Sequence, residues 1–364
     1  MKKVLVMGMS FARGGMETCI MNYVRNVDRD EFTFDFITYN KPPYCLDEIE
    51  NSGGRVYVIP GRSANLKEHK KQLREIFEKH GAEYDAFWYN LCLISDIELF
   101  KLAKKAGIRR RIIHAHQSQG MGNIITNTLH KIYKKKVEKM TTDHWACSMS
   151  AAEFFYSEKT IKGPSFKKVT NAIDLSAFAY NETGRNEIRK ELGAGEDFVF
   201  CNIARLNPEK NQTFLLDVFE KIYEKNKNTA LWVVGQGVLE ESLKNKANTL
   251  NSREKIHFLG RRDDVPKVYS AADCFILPSV FEGLPMTLVE AQASGLVCFT
   301  SKEAVPQEAA ITENLHFLSL EDSADKWAEE ILNIKNTDRA QAYKTLEESR
   351  WNIKNAAKEF MKNE

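Results

Sequence analysis

Short apolar runs recur along the chain, separated by longer stretches with helical spacing. The runs cover residues 4–7, 34–37, 56–59, 86–89, 112–113 and 145–147, then 198–203, 231–234, 256–259, 274–277, 297–300 and 316–318. Most are continuous rather than alternating, as a parallel strand covered on both faces requires. Helical patterns over 66–79, 211–223 and 237–250 lie between them. Repeated strand–helix units predict open, twisted parallel sheets. The pattern pauses over 174–197, which is polar and charged with several glycines, and a fresh strand opens at Phe198. The expectation is an α/β protein of two Rossmann-like, doubly wound domains, residues 1–180 and 181–349, whose strand C-termini face a central cleft where a ligand binds.

Composition agrees with two packed cores. The chain has 364 residues, 43 % of them hydrophobic, with 21 Phe and 5 Trp. That length favours two domains, and that apolar content excludes disorder. The seven cysteines, at 19, 45, 92, 147, 201, 274 and 298, are widely spaced and form no CxxC pair. They predict neither a disulfide framework nor a zinc site, and Cys147, Cys201, Cys274 and Cys298 read as core thiols of a reduced, cytoplasmic protein. The apolar run after Met1-Lys2-Lys3 is too short for a signal peptide, and no stretch of about 18 apolar residues is present to span a bilayer.

The net charge of +2 is too small for a general nucleic-acid binder. The charge is uneven, however. Residues 101–140 hold eleven Lys or Arg, including Arg109-Arg110-Arg111 and Lys134-Lys135-Lys136, with Glu138 the only acid. A solvated helical face accounts for this. So does peripheral contact with an anionic membrane. No aromatic platform or helix-turn-helix signature points to nucleic acid.

Four clusters carry candidate chemistry. In the first, the strand 274–277 runs into Pro278-Ser279-Val280-Phe281-Glu282-Gly283-Leu284-Pro285-Met286-Thr287-Leu288-Val289-Glu290. A turn here opens a helix whose first N–H groups and positive dipole end suit a phosphate. Glu282 and Glu290 are spaced E-x7-E. Thr287-x-x-Glu290 also fits a capping box, and Glu282 also reads as an ordinary loop acid. In the second, the strand 198–203 is followed by Ala204-Arg205-Leu206-Asn207-Pro208-Glu209-Lys210-Asn211. Arg205 can fork onto a phosphate, Lys210 supplies a point charge, and Asn211 suits an N-cap, although a solvated loop has the same composition. The third is Gly235-Gln236-Gly237, two glycines that permit a tight turn and close ligand approach. Arg13-Gly14-Gly15 after the first strand reads the same way, and neither is a dinucleotide fingerprint. The fourth is His114-Ala115-His116-Gln117 at a strand's end. There His116 faces the expected cleft or sits in a core, with no third metal ligand nearby.

Together these pieces resemble one family, the family 4 retaining glycosyltransferases of GT-B fold that build bacterial capsular and extracellular polysaccharides. The matching residues are Gly14-Gly15, His116, Val169-Thr170-Asn171-Ala172-Ile173-Asp174, Arg205 with Lys210-Asn211, Gly235-x-Gly237, Phe258-Leu259-Gly260-Arg261, Asp273, Pro278-Ser279 and Glu282-x7-Glu290. Two positions depart from the family pattern: Ala172 stands where Gly is usual, and Gln117 follows His116 where Asn is frequent.

The resemblance implies a nucleotide-diphosphate sugar donor, with UDP as the expected nucleotide, and no metal cofactor. It implies that Arg205 and Lys210 hold the diphosphate, helped by backbone N–H groups of Met286, Thr287 and Leu288 beyond the Gly283-Leu284-Pro285 turn. Glu290 would bind the ribose, Glu282 would lie near the transferred sugar, and His116 would contact that sugar. Gly14, Gly15, Gly235, Gly237 and Arg261 would complete the donor site. A C-terminal helix over 350–364 would cross back to the first domain. The adjacent acids of Arg262-Asp263-Asp264 read as solvent-facing or helix-starting rather than as a metal motif. The implied acceptor is a saccharide or lipid-linked saccharide. Two other readings are a nucleotide-sugar epimerase on the same fold and a non-catalytic nucleotide-sugar-binding subunit.

Overall fold

A computed structural model describes residues 1–12, 14–117, 123–333 and 338–362. Arg13 and the last two residues of the expected 350–364 helix lie outside these. The chain forms two compact units, Met1–Ala172 with Ile353–Glu364, and Ile173–Asn352.

The first unit holds seven strands: β1 (Lys2–Met7), β2 (Phe32–Tyr39), β3 (Val56–Ile59), β4 (Ala86–Leu91), β5 (Arg110–Ala115), β6 (Asp143–Ala146) and β7 (Phe166–Lys168). They pair in the order β3-β2-β1-β4-β5-β6-β7, all parallel. Continuous apolar runs are needed because successive residues enter different cores. Leu5, Met7, Phe87 and Ile113 pack on one face of the sheet, and Val4, Val6, Trp88 and Ile112 on the other. The helix Ile353–Glu359 belongs to this unit. Ile353, Ala357 and Phe360 join its second core, with Phe360 stacked 4.4 Å from Tyr23.

The second unit holds β8 (Phe198–Ile203), β9 (Thr229–Val234), β10 (Ile256–Gly260), β11 (Cys274–Leu277), β12 (Val297–Ser301) and β13 (Leu315–Leu318), in the order β10-β9-β8-β11-β12-β13. It is again parallel, with Val199, Cys201 and Phe275 on one face and Phe200, Cys274 and Ile276 on the other. Trp351 lies in this unit, packed with Ile173, Val289 and Leu346.

In each sheet the winding reverses once, between β1 and β4 and between β8 and β11. The loops leaving such a neighbouring pair diverge, which opens a crevice beyond their C-terminal ends. Arg205–Lys210 and Pro278–Pro285 are the two loops flanking the reversal of the second sheet.

At the opposite end of that sheet, Asp273 is a structural residue. Its carboxylate takes Arg185 at 2.8 Å and Arg189 at 3.2 Å, and also accepts the Val199 N–H at 2.8 Å. The same arginines, with Arg339, donate to the carbonyls of Ser270, Ala271 and Ala272 that end the helix Val265–Ala271.

Candidate active site

The two clusters that stand apart in sequence meet in the second unit. Lys210, at the end of the short 3-10 turn Pro208–Lys210 after β8, places Nζ 2.6 Å from Glu282 Oε1 in the loop after β11. The side chains are 16 % and 7 % exposed, so this is a largely buried ion pair. The Ser279 hydroxyl donates to the same carboxylate oxygen at 2.6 Å. Ser279 is itself held by the Ser301 hydroxyl, which donates to its carbonyl. A backbone bond from Val280 N–H to Glu209 C=O, 2.9 Å, ties the two loops together beside the pair. Glu282 is therefore a fixed, charge-paired carboxylate.

Asn211 does not cap the helix Gln212–Lys225 with its side chain. It stands at φ 54°, ψ 38° and makes no side-chain cap bond, because it closes the preceding 3-10 turn in a left-handed conformation. Gln212 does local work instead, donating to Arg205 C=O at 2.9 Å and so holding the loop's first cation. The Arg205 side chain is 73 % exposed and lies 3.8 Å from Glu209. Arg261 is equally open, 72 % exposed with Asp263 at 3.6 Å.

The helix Met286–Ala293 starts with Pro285 at its N-cap position, without a side-chain cap. Thr287 and Glu290 are thus inside the helix, and the capping box does not form. Glu290 accepts from the hydroxyl of buried Tyr269 at 3.0 Å. The Leu288 N–H is taken by Pro285 C=O at 3.0 Å, which among the described residues leaves the Met286 and Thr287 amides as the open donors of this N-terminus. Gly283 and Leu284 form the turn leading in.

Gly235 and Gly237 have a structural reason. Gly235 sits at φ +137°, and a Cβ there would lie 1.9 Å from Ala204 C=O; at Gly237 it would lie 2.3 Å from Leu206 C=O. The loops after β8 and β9 are zipped by Leu206 N–H to Gln236 C=O and Leu239 N–H to Leu206 C=O. Close approach of backbone to backbone is enough to exclude a side chain at both positions.

In the first unit, Gly14 is the N-cap of the helix Gly15–Asn26, and a Cβ on Gly15 would meet nothing. His116 follows β5. Its Nε2 lies 2.9 Å from Asn90 Oδ1, while Asn90 Nδ2 donates to Met7 C=O at 3.3 Å. That second bond turns the amide oxygen toward the ring, so Nε2 carries the proton and Nδ1 keeps its lone pair. Burial pushes the His116 pKa down to about 3, so the imidazole is neutral. His114 is fully buried, its ring 4.1 Å from that of His116, and burial holds it neutral too. Asn90 and Tyr269 carried no sequence signal, and Ser279 carried one only as part of the Pro278-Ser279 match. They are common residue types that matter only through what the topology sets beside them.

Among the described residues no three His, Cys, Asp or Glu side chains gather as a metal site. No helix there is long and apolar enough to cross a membrane.

Residues 184–360 match the family model described as Glycosyl transferases group 1. EpsF of Bacillus subtilis, which carries a glycosyltransferase name, is 29 % identical over 335 residues, 91 % of this chain and 87 % of that protein. The chain is a glycosyltransferase. A second relative of this glycosyltransferase is the Escherichia coli UDP-Gal:alpha-D-GlcNAc-diphosphoundecaprenol alpha-1,3-galactosyltransferase, 30 % identical over 247 residues, 58 % of this chain and 63 % of that one. The structure of Anabaena HepE in complex with UDP aligns over 99 % of this chain and 98 % of that one, with a TM-score of 0.78 and 17 % identity. At that identity the likeness shows the fold, and the fold of this glycosyltransferase is GT-B.

Proposed function

We propose that this glycosyltransferase moves a sugar from a UDP-sugar, with retention at the anomeric carbon, to a saccharide or lipid-linked saccharide in bacterial surface polysaccharide synthesis. The observation that carries the donor half is the Lys210–Glu282 pair at the reversal of the second sheet, beside the open N-terminus at Met286 and Thr287. As the bond from the anomeric carbon to the β-phosphate oxygen breaks, its electron pair stays on that oxygen. A fixed cation and N–H donors aimed there stabilise the transition state more than the ground state. Lys210 and the more exposed Arg205 supply the positive charge in this reading, with no metal required. Glu290, oriented by Tyr269, accepts from the ribose hydroxyls, and Glu282 faces the transferred sugar. His116 offers a neutral Nδ1 acceptor suited to a sugar hydroxyl.

The UDP names of the Escherichia coli relative and of the HepE complex support UDP, while a Mycolicibacterium smegmatis relative is named for GDP-mannose; the capsular and lipid-diphosphate names support the acceptor class. Seven free cysteines, six of them buried, accord with a reducing cytoplasmic setting. Peripheral membrane contact through the basic stretch 101–140 belongs to the same reading.

The test is a panel of nucleotide sugars with lipid-linked and free saccharides, in EDTA, followed by NMR of the product's anomeric proton. Retained configuration and UDP release that depends on acceptor support the reading. Interconversion of the donor sugar without acceptor would point to the epimerase, and binding without either reaction to the non-catalytic subunit.

A further inference from the structure

Arg205 has an open side chain, so its direction is set by its backbone. The Arg205 carbonyl accepts twice, from the Asn207 N–H at 3.0 Å and from Gln212 Nε2 at 2.9 Å. Two donors on one carbonyl fix the orientation of that peptide plane, and with it the Cα–Cβ bond from which the guanidinium extends. Asn207 belongs to the same loop as Arg205. Gln212 does not: it opens the helix Gln212–Lys225, whose Leu215, Leu216 and Phe219 are locked in one core with Phe200 and Leu231.

The Gln212 amide is itself fixed from behind. β8 and β11 pair at Phe200/Cys274 and Cys201/Phe275. One residue further, the fully buried Asn202 sends Nδ2 to Ile276 C=O at 2.7 Å. That bond turns Asn202 Oδ1 to the other side, where Gln212 Nε2 lies 3.5 Å away. A chain of buried amides thus runs from β11, which leads into the Glu282 loop, to the loop that carries Arg205.

The same amide is costly for the fold. Gln212 is 1 % exposed, and its Oε1 has no hydrogen-bond donor among the described residues. A buried acceptor left without a donor destabilises. An apolar side chain of similar length removes that acceptor and keeps the volume. The Arg205 carbonyl would still have Asn207, and Asn202 Oδ1 would lose its neighbour in exchange. Stability therefore gives no reason for glutamine at this position. What the glutamine alone supplies is the second donor on Arg205.

We infer that Gln212 is a positioning residue for the donor diphosphate, acting through Arg205. The inference rests on the reading of Arg205 as a diphosphate ligand. The test is calorimetric titration of UDP and UMP, in EDTA, into wild type, Gln212→Met, Arg205→Ala and the double variant, with thermal melting of each. Gln212→Met should weaken UDP at least about fivefold, leave UMP within about twofold, and melt within about 2 °C of wild type. A merely structural role would lower the melting temperature and both affinities together. In the Arg205→Ala background the same substitution should cost UDP less than about twofold, since no guanidinium is left to position. Wild-type UDP affinity in Gln212→Met, a parallel loss of UMP, or full additivity with Arg205→Ala overturns the inference. Lys210→Ala tells the two failures apart. If it and Arg205→Ala weaken UDP while Gln212→Met does not, the positioning role alone falls. If none of the three weakens UDP, the donor site falls with it.

Discussion

Removing either member of the Lys210–Glu282 pair should destabilise the second unit by more than an exposed ion pair could. At 2.6 Å and an effective dielectric near 20, the gross attraction is about 6 kcal/mol. Desolvation of two largely buried groups returns much of this, so the net worth of the pair is modest. Breaking it is another matter. Lys210→Met leaves a 7 % exposed carboxylate with the Ser279 hydroxyl as its remaining partner. The cost should be about 3 kcal/mol, near the lower end for a stranded buried charge. Glu282→Gln keeps the shape and leaves Lys210, which is more exposed, to recover some water; about 1.5–2 kcal/mol is expected. The double variant strands neither charge, so it should cost about 2 kcal/mol less than the sum of the singles. Thermal unfolding of the ligand-free protein reads this directly, since about 3 kcal/mol corresponds to roughly 6–12 °C for a unit of this size. Singles that each lose under about 0.5 kcal/mol, or that add without coupling, would refute the reasoning.

Other outcomes follow from neighbouring residues. His116, with its pKa pushed down to about 3 from an ordinary 6.5, binds no proton when folded but does when unfolded. Its contribution is therefore intact above pH 6.5 and is lost at up to about 1.4 kcal/mol per pH unit as the pH falls toward 3. Urea unfolding at pH 7 and pH 5 should show that loss, and His116→Gln should remove part of it; a pH-independent wild type would contradict it. Asp273→Asn strips the carboxylate from Arg185 and Arg189 and should destabilise by about 3 kcal/mol or more, with a matching drop in melting temperature. Tyr269→Phe removes the hydroxyl that donates to Glu290 and should weaken UDP and UMP alike, by roughly tenfold in calorimetry. A defect confined to UDP would assign Glu290 elsewhere.

The sheets were legible because buried parallel strands must be apolar on both faces, and the twelve runs read from sequence all lie at strands. β7 escaped because Phe166-Lys167-Lys168 is a three-residue edge strand with no apolar run. The site was legible as clusters but not as contacts: nothing in the sequence pairs Lys210 with Glu282 across 72 residues. That pairing follows from strand order, which puts β8 beside β11. Local signals misled where tertiary context overrode them. Asn211 has cap chemistry but closes a turn, and Thr287-x-x-Glu290 has capping-box spacing but begins one residue inside the helix. Gly235 and Gly237 were legible as turn residues, while the reason for them, a neighbouring loop's backbone, was not.

The measurement that tests the central claim most directly is calorimetric titration of UDP and UMP into wild type and Lys210→Ala, in EDTA. A charge-assisted bond to phosphate contributes about 1.5–3 kcal/mol, or roughly 10- to 150-fold in affinity. The account predicts that UDP binds wild type far more tightly than UMP, and that Lys210→Ala brings UDP down to the level of UMP while leaving UMP unchanged. Equal binding of UDP and UMP by the wild type, or full UDP affinity in Lys210→Ala, would contradict it.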